Sequence, residues 1–205
     1  MSGGTEMIQE FFAQQRPHRG MTPDEYRRYM QAESDKALES AGAAQDDHTR
    51  YLPLNLARTR RIEKTYSPSS RVQAAARAIR DAQLWMVLTE PWCGDSAQNL
   101  PYIFKIAACN PLIDVRILLR DQNPDIMDAY LTHGARGIPI LAAFDSQGRE
   151  LFRWGPRPKP AAELFHRLKD EGIPVPELRE QLHRWYAKNR GQALEDEFVA
   201  ILTAV

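Results

Sequence analysis

Leu84-Trp85-Met86-Val87-Leu88-Thr89-Glu90-Pro91-Trp92-Cys93-Gly94-Asp95-Ser96 is the stretch that decides the fold. Leu84 to Thr89 is a short continuous apolar run, the pattern of a strand buried on both faces. Beyond Ser96, the residues Leu100, Ile103, Phe104 and Ala107 recur at helical spacing. Cys93 therefore stands where a strand gives way to a helix. Free N–H groups and a partial positive charge collect at a helix N-terminus, and they favour thiolate over thiol. The thiolate is the nucleophilic form, so a cysteine at this junction is placed to do chemistry.

Working outward, the period alternates between strand and helix. Upstream, Thr22-Pro23-Asp24-Glu25 carries the cap, the first-turn proline and the Glu of a capping box, and opens a helix ending near Gly42. A second helix is predicted over 53–65 and a third over 69–82. Arg58, Arg60, Arg61 and Lys64 form a basic cluster on the second, read as a solvated helix face. Downstream, Asp114 to Leu119 reads as a second buried strand, and Asn123-Pro124 opens a short helix to about His133. Ile140 to Phe144 and Arg149 to Trp154 flank the turn Asp145-Ser146-Gln147-Gly148 as a hairpin. A helix over 160–171 stops at Gly172, and two more follow from Pro176, broken at Asn189-Arg190-Gly191. Helices after the first two strands favour parallel neighbours, while the hairpin requires an antiparallel pair. The reading is an α/β fold: a mixed sheet flanked by helices, with additional N- and C-terminal helices. Its divisions are a flexible tail over 1–20, an N-terminal helical extension over 21–68, a core domain over 69–172 and a C-terminal helical extension over 173–205.

Composition sets the broad class. The 27 basic residues balance the 27 acidic ones, which argues against broad nucleic-acid or membrane-surface binding. No apolar run has the length of a secretory signal or a membrane span, so a cytoplasmic protein is expected. The two cysteines, Cys93 and Cys109, are too few for a disulfide framework and fit a reducing compartment. His18, His48, His133, His166 and His183 have no metal-ligand spacing, so neither a metal nor a cofactor is expected.

Four fragments add a resemblance. Trp92-Cys93-Gly94-Asp95-Ser96 is similar to the Trp-Cys-Gly-Pro-Cys stretch of thioredoxins. Pro101 stands where thioredoxins carry the proline that kinks the active-site helix. Arg136-Gly137-Ile138-Pro139 matches the family's Arg-Gly-Ile-Pro segment, whose proline is cis and faces the active site. Trp154-Gly155-Pro156 falls at the family's glycine loop after the last hairpin strand. Taken in order, residues 84–155 resemble the thioredoxin superfamily. With Glu90-Pro91 and Arg157-Pro158 included, the pattern resembles an atypical bacterial thioredoxin-like family with extra terminal helices. The resemblance implies a thioredoxin fold and a thiol–disulfide oxidoreductase. Its redox residues would be Cys93 and Ser96, on a surface made by Trp92, Gly94, Arg136, Ile138, Pro139, Gly155 and Arg157. There a cis bond at Pro139 would offer the Ile138 backbone to a thiol or extended peptide. Arg136 and Arg157 would hold a carboxylate such as that of glutathione.

The departures narrow this. Ser96 takes the place of the resolving cysteine, so it can hydrogen-bond a Cys93 thiolate but cannot close a disulfide. Val87 takes the place of the buried Asp that assists proton transfer. Asp95 takes the place of the active-site proline, and its carboxylate, with that of Glu90, opposes thiolate formation. Cys109 cannot substitute, because sixteen residues of helix place it roughly 24 Å from Cys93, against about 7 Å for a disulfide. Cys93 is expected to be exposed and the more reactive thiol, with Cys109 packed. Two functions follow: monothiol thiol–disulfide exchange with a low-molecular-weight thiol as co-substrate, acting on a disulfide-containing protein or small thiol; or a redox-inert module that binds peptides or proteins.

Overall fold

The computed structural model describes residues 2–40 and 48–204, with side chains from residue 8 onward. The chain runs α1 (Ser2–Ala13), α2 (Pro23–Glu39), α3 (Leu52–Thr65), α4 (Ser70–Ala78), β1 (Gln83–Thr89), α5 (Gly94–Ala107) and β2 (Ile113–Leu119). It continues through α6 (Pro124–Asp128), β3 (Ile140–Asp145), β4 (Glu150–Trp154), α7 (Lys159–Asp170), α8 (Val175–Asn189) and α9 (Gln192–Ala204). The capping box at Thr22 and Glu25 is formed as expected. The end of that helix near Gly42 lies outside the described residues; α2 stops at Glu39. α4 is shorter than the pattern suggests because Ile79 turns to extended backbone, and the Asn110 amide donates to the Ala76 and Ile79 carbonyls at 2.8 and 3.0 Å. α6 likewise stops early, and Thr132 and Ala135 then bridge to each other around the positive-φ pair His133 and Gly134.

The sheet order is β2-β1-β3-β4. β1 and β2 are parallel, and β3 and β4 form the expected antiparallel hairpin. The expectation of a parallel neighbour after the second helix fails at β3, which runs antiparallel to β1 with Leu88 opposite Ile140. The reason is where the connection stays. α6 is a five-residue helix, too short to carry the chain back across the sheet, so β3 starts at the edge where β1 ends.

The apolar run from Leu84 to Leu88 in β1 is explained by its two covered faces. Trp85 and Val87 join a core with Tyr26, Met30, Val72, Ile103 and Phe198, while Leu84, Met86 and Leu88 join Phe11, Ile126, Met127 and Tyr130. The second face corrects the reading of residues 1–20 as a flexible tail. Phe11 of α1 is buried there, and the Phe12 ring lies 5.4 Å from that of Phe144, so the segment folds because it covers the sheet.

The C-terminal helices are equally part of the body. Phe198 of α9 is fully buried, its ring 5.9 Å from Trp85 and 5.8 Å from Trp154. Glu197 accepts from the Trp154 indole at 2.7 Å and from the Lys159 backbone at 2.6 Å. Between α8 and α9, Gly191 has φ +85°, and a Cβ there would meet the Tyr102 ring at 2.3 Å. Among the described residues, no helix is long and apolar enough to cross a membrane. Phe198→Ala is expected to destabilise the fold by about 3–5 kcal/mol through loss of buried aromatic area and the cavity left behind. Chemical denaturation checks this, and a loss under 1 kcal/mol would mean that α9 is peripheral.

Candidate functional site

The register of β1 against β3 builds the site. Cys93 follows the last residues of β1 and Pro139 immediately precedes Ile140, so the two converge at one edge of the sheet. Cys93 is the N-cap of α5, and the Ile138–Pro139 bond is cis. The Cys93 thiol donates to the Ile138 carbonyl at 3.4 Å. Gly155 sits against the same loop with φ +125°, where a Cβ would be 2.1 Å from the Pro139 carbonyl oxygen. Only glycine lets β4 leave that closely; the Gly155–Pro156 bond is also cis, which the sequence did not indicate.

Cys93 is 8% exposed, not the open helix start expected, whereas Cys109 is half-buried; both are free thiols. Burial, and then the Asp95 carboxylate, push the Cys93 thiol up to about 11 against partial opposition from the Ser96 hydroxyl and the Asp95 and Ser96 backbone N–H groups. The helix terminus is thus outweighed by desolvation. Glu90 takes no part in this: its Oε1 accepts from the Asp121 backbone at 2.8 Å, and burial raises its own carboxyl. Val87 is fully buried within the apolar core and offers no proton acceptor.

Ser96 is buried and joined to the N-terminal extension. Thr89 donates its single hydroxyl proton to Ser96 Oγ at 2.7 Å, and Tyr26 of α2 is hydrogen-bonded to Thr89. This order leaves the Ser96 proton free to point at the Cys93 sulfur.

Asp95 is the hinge of the second network. Its carboxylate pairs with Arg157 at 2.6 Å and accepts from the Tyr186 hydroxyl of α8 at 2.8 Å. Asn99 donates to the Asp95 carbonyl at 2.8 Å and to Tyr186 at 3.1 Å. The Arg157 guanidinium stacks on Phe165 at 4.0 Å, and its buried Nε has no hydrogen-bond partner. Arg136 is engaged by both oxygens of Asp128 at 2.7 and 2.8 Å. The two arginines expected to hold a ligand carboxylate therefore each hold one of the protein's own. Trp92 is stacked with His48 at 4.2 Å and carries the Arg120 guanidinium 4.7 Å from its ring.

α8 lies over the cysteine. A Cβ on Gly94 would come within 2.9 Å of the His183 ring and 3.7 Å of Arg58 Nη1. His183 was dismissed in the sequence for lack of ligand spacing, and Arg58 was read with a solvated basic face. Both face the Cys93 cavity, and no local pattern marks either, since their neighbours come from distant chain segments. His183 Nδ1 meets the Gln98 amide at 3.2 Å, and burial followed by repulsion from Arg58 and Arg179 lowers its pKa to about 4. Together these walls enclose about 510 Å³ above Cys93, a volume suited to a small molecule. Trp92, Gly94, Arg136, Ile138 and Arg157 line it with Cys93, whereas Gly155 lines a neighbouring groove and Ser96 lies beneath. Among the described residues no cluster of His, Cys, Asp and Glu is arranged to hold a metal.

Two outcomes follow. Alkylation of Cys93 is expected to keep rising about tenfold per pH unit through pH 9, with Cys109 labelled first in the native protein; a plateau for Cys93 below pH 8 would contradict the site's electrostatics. Because folded His183 titrates near 4 and unfolded histidine near 6.5, the unfolded state binds the extra proton between these values. Stability is therefore lost as pH falls from about 6.5 to about 4, by on the order of 3 kcal/mol. Denaturation of His183→Gln across this range should lack that component; an unchanged slope would mean that His183 is not held neutral.

Similarity to known proteins agrees with this geometry. A search of curated proteins finds no match. Two solved structures share the fold: an HIV epitope-scaffold, at TM-score 0.55 and 17% identity over 74% of this chain and 86% of that one, and a protein of unknown function from Pseudomonas aeruginosa, at TM-score 0.55 and 18% identity over 74% and 85%. A thioredoxin family model, Thioredoxin_9, matches residues 42–170, more than half of the chain. With a cysteine capping the helix after β1 and a cis-proline beside it, the chain belongs to the thioredoxin family.

Proposed function

We propose that the protein carries out monothiol thiol–disulfide exchange through Cys93. The observation that supports this reading is the placement of the Cys93 sulfur. It touches the cis-proline loop, is served by the Ser96 hydroxyl and two backbone N–H groups, and floors a small-molecule cavity. Cys93 loses its proton, and its thiolate attacks one sulfur of R–S–S–R. The Cys93–S–S–R bond forms as the substrate bond breaks, and R–S⁻ leaves to take up a proton. A second thiol, R′–SH, reacts as its thiolate at the R sulfur, forming R′–S–S–R and returning Cys93. That thiol comes from outside, because Ser96 has no sulfur and Cys109 lies at the far end of α5. A reducing compartment such as the cytoplasm supplies it. The resting thiol is held protonated, so exchange runs through its small thiolate fraction and gains rate as pH rises.

The raised Cys93 pKa also favours a second reading, in which the pocket binds a ligand without redox chemistry. Reduction of a small mixed disulfide by glutathione or cysteine separates the two. Wild type should exceed the rate of the free thiol, Cys93→Ser should abolish the gain, and Cys109→Ser should stay within about twofold of wild type. A wild-type rate no faster than either free thiol would overturn the exchange reading.

A further inference from the structure

The cavity above Cys93 is strongly one-signed. Arg58, Arg120, Arg136, Arg157, Lys169 and Arg179 line it, against one lining carboxylate, Asp95. Three of these cations are neutralised by the protein: Arg157 by Asp95, Arg136 by Asp128, and Arg120 by Asp121 at 2.7 Å. The other three have no carboxylate partner among the described residues. Arg58 donates to the Asn55 amide oxygen at 3.0 Å, and Arg179 donates to the Tyr51 hydroxyl at 3.1 Å. They come from three separate elements, α3, α7 and α8, and converge on one space.

Arg58 is the informative member. It is partly buried, its Nη1 lies beside Gly94, and burial together with Arg61 lowers its pKa. Its nearest counter-charge, Asp95, is already paired with Arg157; a partly desolvated guanidinium so placed is costly, and an entering anion offsets the cost. The neutral His183 imidazole next to it adds polarity without adding to the repulsion. Apolar side chains complete the lining, among them Phe165, Ile173, Leu178 and Leu182.

The same walls argue against an extended peptide. Ile138 is 6% exposed and its carbonyl accepts from the Cys93 thiol, so little of the backbone expected to pair with a strand is open to one. α8 covers the approach that a folded protein would need.

We infer that the substrate is a small disulfide carrying at least two carboxylates, bound with its S–S bond over Cys93 and its anionic groups on Arg58, Lys169 and Arg179. This rests on the exchange reading for its chemistry, but its charge selectivity is measurable without any bond being made.

The test uses the full chain with Cys93→Ser, which cannot react, and follows binding calorimetrically and by intrinsic tryptophan fluorescence. The probes are 3,3′-dithiodipropionate, a dianion, 2-hydroxyethyl disulfide, which is neutral, and cystamine, a dication. Saturable, salt-sensitive binding of the dianion alone is expected. Adding Arg58→Gln should weaken it about tenfold, the effect of one partly desolvated charge pair, and adding Lys169→Gln or Arg179→Gln should weaken it less. Thermal unfolding of each variant confirms that the fold is kept. Equal binding of the three probes, no binding of the dianion, or indifference to all three charge removals would overturn the inference. Charge-selective binding by Cys93→Ser with no catalysis by wild type would instead leave the anion-binding pocket standing and remove the exchange reading.

Discussion

The buried ion pair between Asp95 and Arg157 organises the functional end of the molecule. Asp95 belongs to the first turn of α5, Arg157 to the segment leaving β4, and Tyr186, which also holds the carboxylate, to α8. One side chain thus joins the cysteine helix, the cis-proline neighbourhood and the C-terminal cover. A lone buried carboxylate would be expensive, so the three elements depend on one another. The thioredoxin stretch that residues 92–96 resemble has a proline at this position, and here a carboxylate serves as an anchor instead. Its secondary effect is to add to the burial that already opposes ionisation of the neighbouring thiol, and the two together outweigh the helix terminus.

A second dependence is topological. The short α6 keeps the chain at the edge where β1 ends, which forces β3 to run antiparallel and brings Pro139 to Cys93. The position of the site therefore follows from the length of a connection that contributes none of its reactive groups. The N-terminal extension then reaches the site from below through Tyr26, Thr89 and Ser96, and the C-terminal extension reaches it from above through Tyr186 and His183. Both extensions belong to the site as much as to the core.

What the sequence disclosed and what it withheld divide along a physical line. The doubly buried β1, the capped α2, the hairpin and the break at Asn189-Arg190-Gly191 each rest on local pattern and were legible. The cis bond at Pro139 and the glycine at 155 were legible through the resemblance to thioredoxins, and Cys93 through its place between a strand and a helix. The helix at residues 2–13 was missed because its aromatic residues, Phe11 and Phe12, have meaning only against a sheet face assembled later in the chain. Arg58 and His183 were missed for the same reason: their environment comes from residues many positions away. The exposure of the two thiols was inverted, since helix position alone does not reveal that α8 folds over the N-terminus of α5.

The contact between Met21 and β2 has an implication for how the molecule behaves in company. Met21 exchanges two backbone hydrogen bonds with Ile117, at 2.8 and 2.7 Å, along the outer side of β2. Gly20 lies so close that any side chain there would meet the Ile117 oxygen at 2.9 Å. An exposed strand flank is a template on which other chains can assemble, and this one is occupied by the protein's own backbone. A residue that lacks a side chain thus works as a safeguard against aggregation: widening Gly20 would lift Met21 away and leave the flank open to neighbours.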